Sequence, residues 1–120
     1  MNTISVQEAD FDVGAEIEAL SAGRADVGAV ASFVGLVRAD TLAGEGDDVS
    51  AMTLEHYPGM TEKSLEAIVA EADGRWRLLG TRVIHRFGRL VPGDRIVFVG
   101  VASSHRGDAF AACEFIMDYL

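Results

Sequence analysis

Apolar and polar positions along the 120 residues change period several times. Ile4 and Val6, read as inward-facing, predict a short strand over 3–6. Asp12 is placed to cap a helix over about 14–22 that carries Ile17 and Leu20 on one face. Residues 27–37, VGAVASFVGLV, read as a buried strand with a bulge expected at Gly35. The polar stretch 39–48 predicts an exposed loop. Residues 50–57 alternate, with Met52, Leu54 and His56 on one face and Thr53, Glu55 and Tyr57 on the other, until Pro58-Gly59 breaks the strand. Thr61–Asp73 predicts a helix with Leu65, Ile68, Val69 and Ala72 as its apolar stripe and Gly74 as its stop.

In 80–87, Thr81, Val83, His85 and Phe87 alternate with Arg82, Ile84 and Arg86, a strand pattern. Val91-Pro92-Gly93-Asp94 is a turn signature. The strand that follows, 95–102, is the most apolar and is expected at the centre of the sheet, antiparallel to 80–87. From about Ser104 to Leu120 the period is helical, with Ala109, Cys113, Ile116, Met117 and Leu120 on one side. The element order gives no clean βαβ series, so the expectation is one α+β domain over 1–120 with a mainly antiparallel or mixed sheet and packed helices.

Composition removes several classes of function. With 49% hydrophobic and 24% charged residues the chain is not intrinsically disordered. It has no apolar run of about 18 residues, so no membrane span is expected. Met1–Asp12 lacks the basic start and apolar stretch of a signal peptide. The lone Cys113 excludes an intramolecular disulfide framework and a multi-cysteine zinc site, and suits the cytoplasm. A net charge of −9 argues against nucleic acid and anionic membranes as partners. An anionic small molecule would need a local basic pocket. Nine of the ten basic residues are Arg, and Lys63 is the one lysine.

Candidate chemistry is concentrated in Val101-Ala102-Ser103-Ser104-His105-Arg106-Gly107, between the apolar strand and the last helix. A helix start offers amide N–H groups and a positive dipole end to an anion. Ser103 and Ser104 would add hydroxyls, and Arg106 a planar cation suited to phosphate. The plainer reading makes one serine the N-cap and leaves His105 and Arg106 as solvated surface. Arg38, at the end of a buried strand, is either a ligand contact or strand-end solvation. Glu55 and His56 point to opposite strand faces and read as structural. His85 reads as a core or interface histidine, and three scattered histidines make no metal site. Cys113 reads as core.

Three segments carry a family resemblance: Ser32-Phe33-Val34-Gly35-Leu36-Val37-Arg38; Leu54-Glu55-His56-Tyr57-Pro58-Gly59-Met60-Thr61-Glu62-Lys63; and Val83-Ile84-His85-Arg86-Phe87-Gly88 through Pro92-Gly93-Asp94 to Ser104-His105-Arg106. Together with Phe115-Ile116-Met117-Asp118-Tyr119-Leu120 they resemble the large, catalytic subunit family of molybdopterin synthase. The resemblance implies an α/β hammerhead-like fold. It implies a sulfurtransferase of molybdenum cofactor biosynthesis that converts cyclic pyranopterin monophosphate to molybdopterin.

The sulfur would come from the C-terminal thiocarboxylate of a small ubiquitin-like sulfur-carrier subunit. The assembly would be a homodimer of large subunits with a small subunit at each end, a heterotetramer, working without metal or organic cofactor. The substrate-binding residues carried over are Leu36, Val37, Arg38, His105 and Arg106, the last two in the neighbouring subunit's pocket. Two lysines of the chemistry follow the Asp-Tyr-Leu that here stands at 118–120, so the catalytic residues are expected beyond Leu120. Lys63 matches a different position. The alternative is a non-catalytic module that binds the sulfur carrier or a pterin phosphate.

Overall fold

The computed structural model describes residues 1–39, 52–54 and 60–120. The strands are β1 (Asn2–Gln7), β2 (Ala29–Leu36), β3 (Met52–Leu54), β4 (Gly80–Arg86), β5 (Gly88–Leu90) and β6 (Arg95–Ser103). The helices are α1 (Val13–Ser21), α2 (Met60–Arg75) and α3 (Arg106–Met117). A four-stranded sheet runs β1-β4-β6-β2, and β3 pairs with β5 in a separate ribbon. β1 is parallel to β4, whereas β4–β6 and β6–β2 are antiparallel. This is the expected α+β architecture with a mixed sheet.

β6 is interior because neither of its faces is polar. Val97, Val99 and Val101 pack toward α2 and α3 with Leu65, Ile68, Val69, Ala72, Ala109, Ala112, Cys113 and Ile116. Phe98 points the other way, into a smaller cluster with Ile84 and Phe11, where Ile17 of α1 and Val34 also pack. A strand buried on both faces loses the alternation that marks a half-exposed one, which is why 95–102 reads as a continuous apolar run. Gly100 is part of the same fit, since a Cβ there would lie 2.6 Å from Leu20 Cδ1 of α1.

Local signals set several boundaries. Asp12 caps α1, its carboxylate accepting from the Ala15 amide at 3.1 Å. The β2 ladder slips between Gly35 and Leu36, the expected bulge. Gly74, however, does not stop α2, which continues to Arg75. Arg75 pairs with Glu71 at 2.5 Å and lies over the Phe115 ring, while the Trp76 amide still bonds the Ala72 carbonyl at 3.0 Å. These contacts outweigh the roughly 1 kcal/mol that an interior glycine costs a helix. α3 is shorter than its pattern: it begins at Arg106, and Asp118, Tyr119 and Leu120 form only a closing turn. β5 has no sequence signal of its own, being three residues long and defined by pairing with β3. Among the described residues no helix is long and apolar enough to cross a membrane.

Candidate anion site and family

The start of α3 is uncapped. Its N-cap residue, His105, makes no side-chain hydrogen bond to the helix. The amides of the first turn, Arg106, Gly107 and Asp108, therefore lack an intrahelical partner, as helix starts require. His105 and Arg106 are both exposed. Among the described residues neither side chain makes a hydrogen bond or ion pair.

Neither serine has the role expected of it. Ser103 is buried, and its hydroxyl donates to the Arg77 carbonyl at 2.8 Å. Ser104 donates to the Asp26 carbonyl at 3.2 Å. No serine caps α3, and neither hydroxyl proton is offered to a ligand. Both instead tie the β6–α3 junction to neighbouring chain. Gly28 completes the junction: its amide donates to the Ser103 carbonyl at 3.0 Å, and a Cβ on it would sit 2.1 Å from the Ser104 oxygen. Only glycine fits there.

Arg38 stands elsewhere. Ala29 pairs with Ser103 at one end of the β2–β6 ladder, and Leu36 pairs with Arg95 at the other. Those ends are seven residues apart, roughly 23 Å along a strand. Past the bulge, the Val37 amide donates to the Asp94 carbonyl at 3.0 Å and its carbonyl accepts from Gly93 at 2.9 Å. Val37 itself is 5% exposed, whereas Leu36 is 53% exposed and Arg38 is also on the surface. One chain thus brings Leu36, Val37 and Arg38 together, and His105 and Arg106 together, but does not join the two groups.

The other candidates play structural parts or lie outside the described residues. His85 is half-buried, its Nδ1 2.9 Å from the Arg86 carbonyl. Cys113 is buried on the sheet side of α3. Lys63 is exposed on α2. Residues 40–51 of the polar stretch and its flank, and 55–59 with Glu55, His56 and Tyr57, lie outside the described residues. Sequence reasoning overlooked Arg77 and Asp108: the Asp108 carboxylate accepts from the Arg77 amide at 3.2 Å. The only hint was an acid in the first turn of a helix.

The fold and this junction define an α+β domain with an exposed arginine at each of two separate ends, one of them an uncapped helix start of the kind that receives phosphate. Residues 6–120 match the family described as MoaE protein. A molybdopterin synthase catalytic subunit from Ralstonia nicotianae is 65% identical over 120 residues, which are all of this chain and 66% of that protein. The molybdopterin biosynthesis MoaE protein of Burkholderia ambifaria superposes with a TM-score of 0.87 at 56% identity, covering all of this chain and 76% of that one. A crystal structure of molybdopterin synthase from Staphylococcus aureus gives 0.83 at 29% identity, covering 95% and 80%. The chain belongs to the MoaE family, that of the molybdopterin synthase catalytic subunits.

Proposed function

We propose that this chain binds cyclic pyranopterin monophosphate and directs its conversion to molybdopterin, with sulfur from the thiocarboxylate tail of a small ubiquitin-like subunit. The observation that carries this is family membership across residues 6–120, joined to an uncapped helix start bearing His105 and Arg106. The setting proposed is cytoplasmic.

The two arginine-bearing ends suggest how the site is completed. β2 is an edge strand of its sheet. Its Phe33 and Leu36 are exposed, as is Phe110 on α3, and Ala31, Phe33, Phe110, Cys113 and Met117 line a groove between the two elements. If two copies meet across β2 on a two-fold axis, the strands run antiparallel. The Arg38 end of one copy then faces the His105–Arg106 end of the other, and burying the aromatic residues stabilises the contact. Each homodimer holds two such sites and takes one small subunit at each, a heterotetramer.

In this reading Arg106, His105 and the α3 amides hold the phosphate, and Arg38 of the other copy closes on it with Leu36 beside the pterin. A guanidinium keeps its charge at neutral pH and matches phosphate with two parallel N–H bonds. The thiocarboxylate sulfur attacks a side-chain carbon, forming a C–S bond as a C–O bond to the cyclic phosphate breaks, and the growing charge on the phosphate is stabilised by arginines already in place. Water then cleaves the resulting thioester, returning the small subunit's C-terminal carboxylate and leaving the sulfur on the pterin side chain. Proton transfer falls to the lysines that the family places after Asp118-Tyr119-Leu120. No metal or cofactor is invoked.

The test supplies thiocarboxylated small subunit and cyclic pyranopterin monophosphate to the chain extended through the Ralstonia relative's C-terminal segment. Sulfur incorporation read by mass spectrometry supports the proposal. Binding of both ligands without any sulfur transfer would support the non-catalytic module instead.

A further inference from the structure

His105 and Arg106 lie between two residues, Ser103 and Asp108, whose side chains bond the backbone of the same residue, Arg77, on either side of its Cα. Ser103 Oγ donates to the Arg77 carbonyl at 2.8 Å, and Asp108 Oδ2 accepts from the Arg77 amide at 3.2 Å. Arg77 belongs to the short connector between α2 and β4, and that connector is itself anchored: the Leu79 amide donates to the Ala102 carbonyl at 2.8 Å, and the Leu79 carbonyl accepts from Arg24 Nη1 at 2.7 Å. The exposed dipeptide thus stands on a segment bonded on both sides to the α2–β4 connector, which Arg24 also holds.

Asp108 also occupies the third helical position, where a carboxylate commonly folds back onto its own helix start. Here it bonds outward, to Arg77, instead of back to the N-cap amide of His105. The helix dipole accounts for a carboxylate in the first turn, but not for its direction, which is away from the helix start and onto the Arg77 amide.

We propose that Ser103 and Asp108 are positioning residues for phosphate binding, acting through Arg77 to hold His105 and Arg106 at the start of α3. This rests on the anion-site reading given under the proposed function. The action requires only that Asp108 accept a hydrogen bond. Its charge is not required.

Two substitutions separate bond from charge. Asp108→Asn and Asp108→Ala both remove the negative charge, and only Asn keeps an oxygen that can accept from the Arg77 amide. Affinity for cyclic pyranopterin monophosphate is measured by calorimetry on each, on Arg106→Ala, and on Asp108→Ala combined with Arg106→Ala. The expected result is binding by Asp108→Asn equal to or tighter than that of the unmodified chain. Asp108→Ala should bind about 3- to 10-fold more weakly than Asp108→Asn, the scale of one hydrogen bond lost. On the Arg106→Ala background Asp108→Ala should weaken binding by less than about two-fold, because the residue acts through the one already removed. Ser103→Ala, which removes the other arm without changing charge, should bind about 3- to 10-fold more weakly than the unmodified chain. Equal affinities for Asp108→Asn and Asp108→Ala, or full additivity with Arg106→Ala, would overturn the positioning role alone. Unchanged affinity in Arg106→Ala would overturn the anion site, and the positioning role with it.

Discussion

Arg38 and Arg106 stand at opposite ends of one antiparallel ladder, the first just past the Leu36–Arg95 pair and the second just past Ala29–Ser103. A single chain cannot close both guanidinium groups on one phosphate. The proposed two-fold dimer would, and that proposal makes an unusual demand: each site takes one arginine from each copy. Arg38→Ala and Arg106→Ala homodimers should each bind the pterin phosphate about 10-fold or more weakly, the scale of a lost charge-assisted hydrogen bond. Mixing the two variants under conditions of subunit exchange should restore tight sites. Half of the dimers are then mixed and each holds one intact site, so titration should find about one quarter of the unmodified capacity. Capacity that stays at zero after exchange would show that both arginines act within one copy or not at all.

The junction that carries Arg106 should be unusually sensitive at a residue that touches no ligand. A Cβ on Gly28 would meet the Ser104 carbonyl at 2.1 Å, and that atom is backbone, which cannot rotate away. Gly28→Ala must therefore displace either β2 or the strand-to-helix turn. Destabilisation of about 1–3 kcal/mol is expected, as for other overpacked sites, along with weaker phosphate binding. Gly74→Ala is the control. Nothing lies within 4 Å of its Cβ position on α2, so it should be neutral or stabilising by up to about 1 kcal/mol. Denaturant titration of both variants measures the contrast.

The elements that were legible in the sequence are those defined by their own residues. The apolar run of β6, the Asp12 cap and the bulge near Gly35 each follow from local composition. What was hidden is relational. That β2 lies antiparallel beside β6, and so holds Arg38 far from Arg106, depends on a pairing between segments about 65 residues apart, which no local pattern encodes. Ser103 and Ser104 look like capping residues until Arg77 and Asp26 are seen beside them. Gly74 looks like a stop until Arg75 is found paired with Glu71 and stacked on Phe115. Phe115, Arg77 and Asp26 are all distant in sequence from the residues whose local tendency they overrode.

Near the Arg38 end, acid should loosen the fold through one carboxylate. Asp10 receives two bonds from Arg95, at 2.9 and 3.1 Å, and one from the Phe11 amide at 2.8 Å. The Arg95 hydrogen bond, then the Phe11 amide, holds its pKa below the ordinary 3.8. A carboxylate depressed on folding contributes stability above its unfolded value, and that contribution disappears as pH falls through the folded one. Asp10→Asn should therefore melt below the unmodified protein at pH 6–7, with the gap closing below about 3.8. Because Asp10 is largely solvated, high salt should also narrow the gap. A gap that is constant from pH 7 to pH 3 would show that shape, not charge, sets the effect.

Cys113 should behave as an inert core residue that becomes a liability in alkali. It is 7% exposed, with Sγ 3.9 Å from the Val99 carbonyl, and burial pushes its thiol up to about 11 from the ordinary 9.0. The thiolate is the reactive form, so a maleimide should label the native protein slowly at neutral pH and rapidly once it is unfolded. The raised value also fixes a pH window. The unfolded chain releases this proton near 9 and the folded chain only near 11, so the stability linked to the neutral thiol is complete below 9 and is lost as pH rises through 11. Cys113→Ala lacks that dependence. It should begin less stable than the unmodified protein at pH 7, because it leaves a small cavity beside Val99, and the difference should shrink between pH 9 and 11. Cys113→Ser should be worse, by about 1–3 kcal/mol, since a buried hydroxyl needs a partner and the Val99 carbonyl is too far away to serve without movement. Rapid labelling of the native protein at pH 7, together with a Cys113→Ala difference that does not change with pH, would place the thiol at the surface and remove the argument.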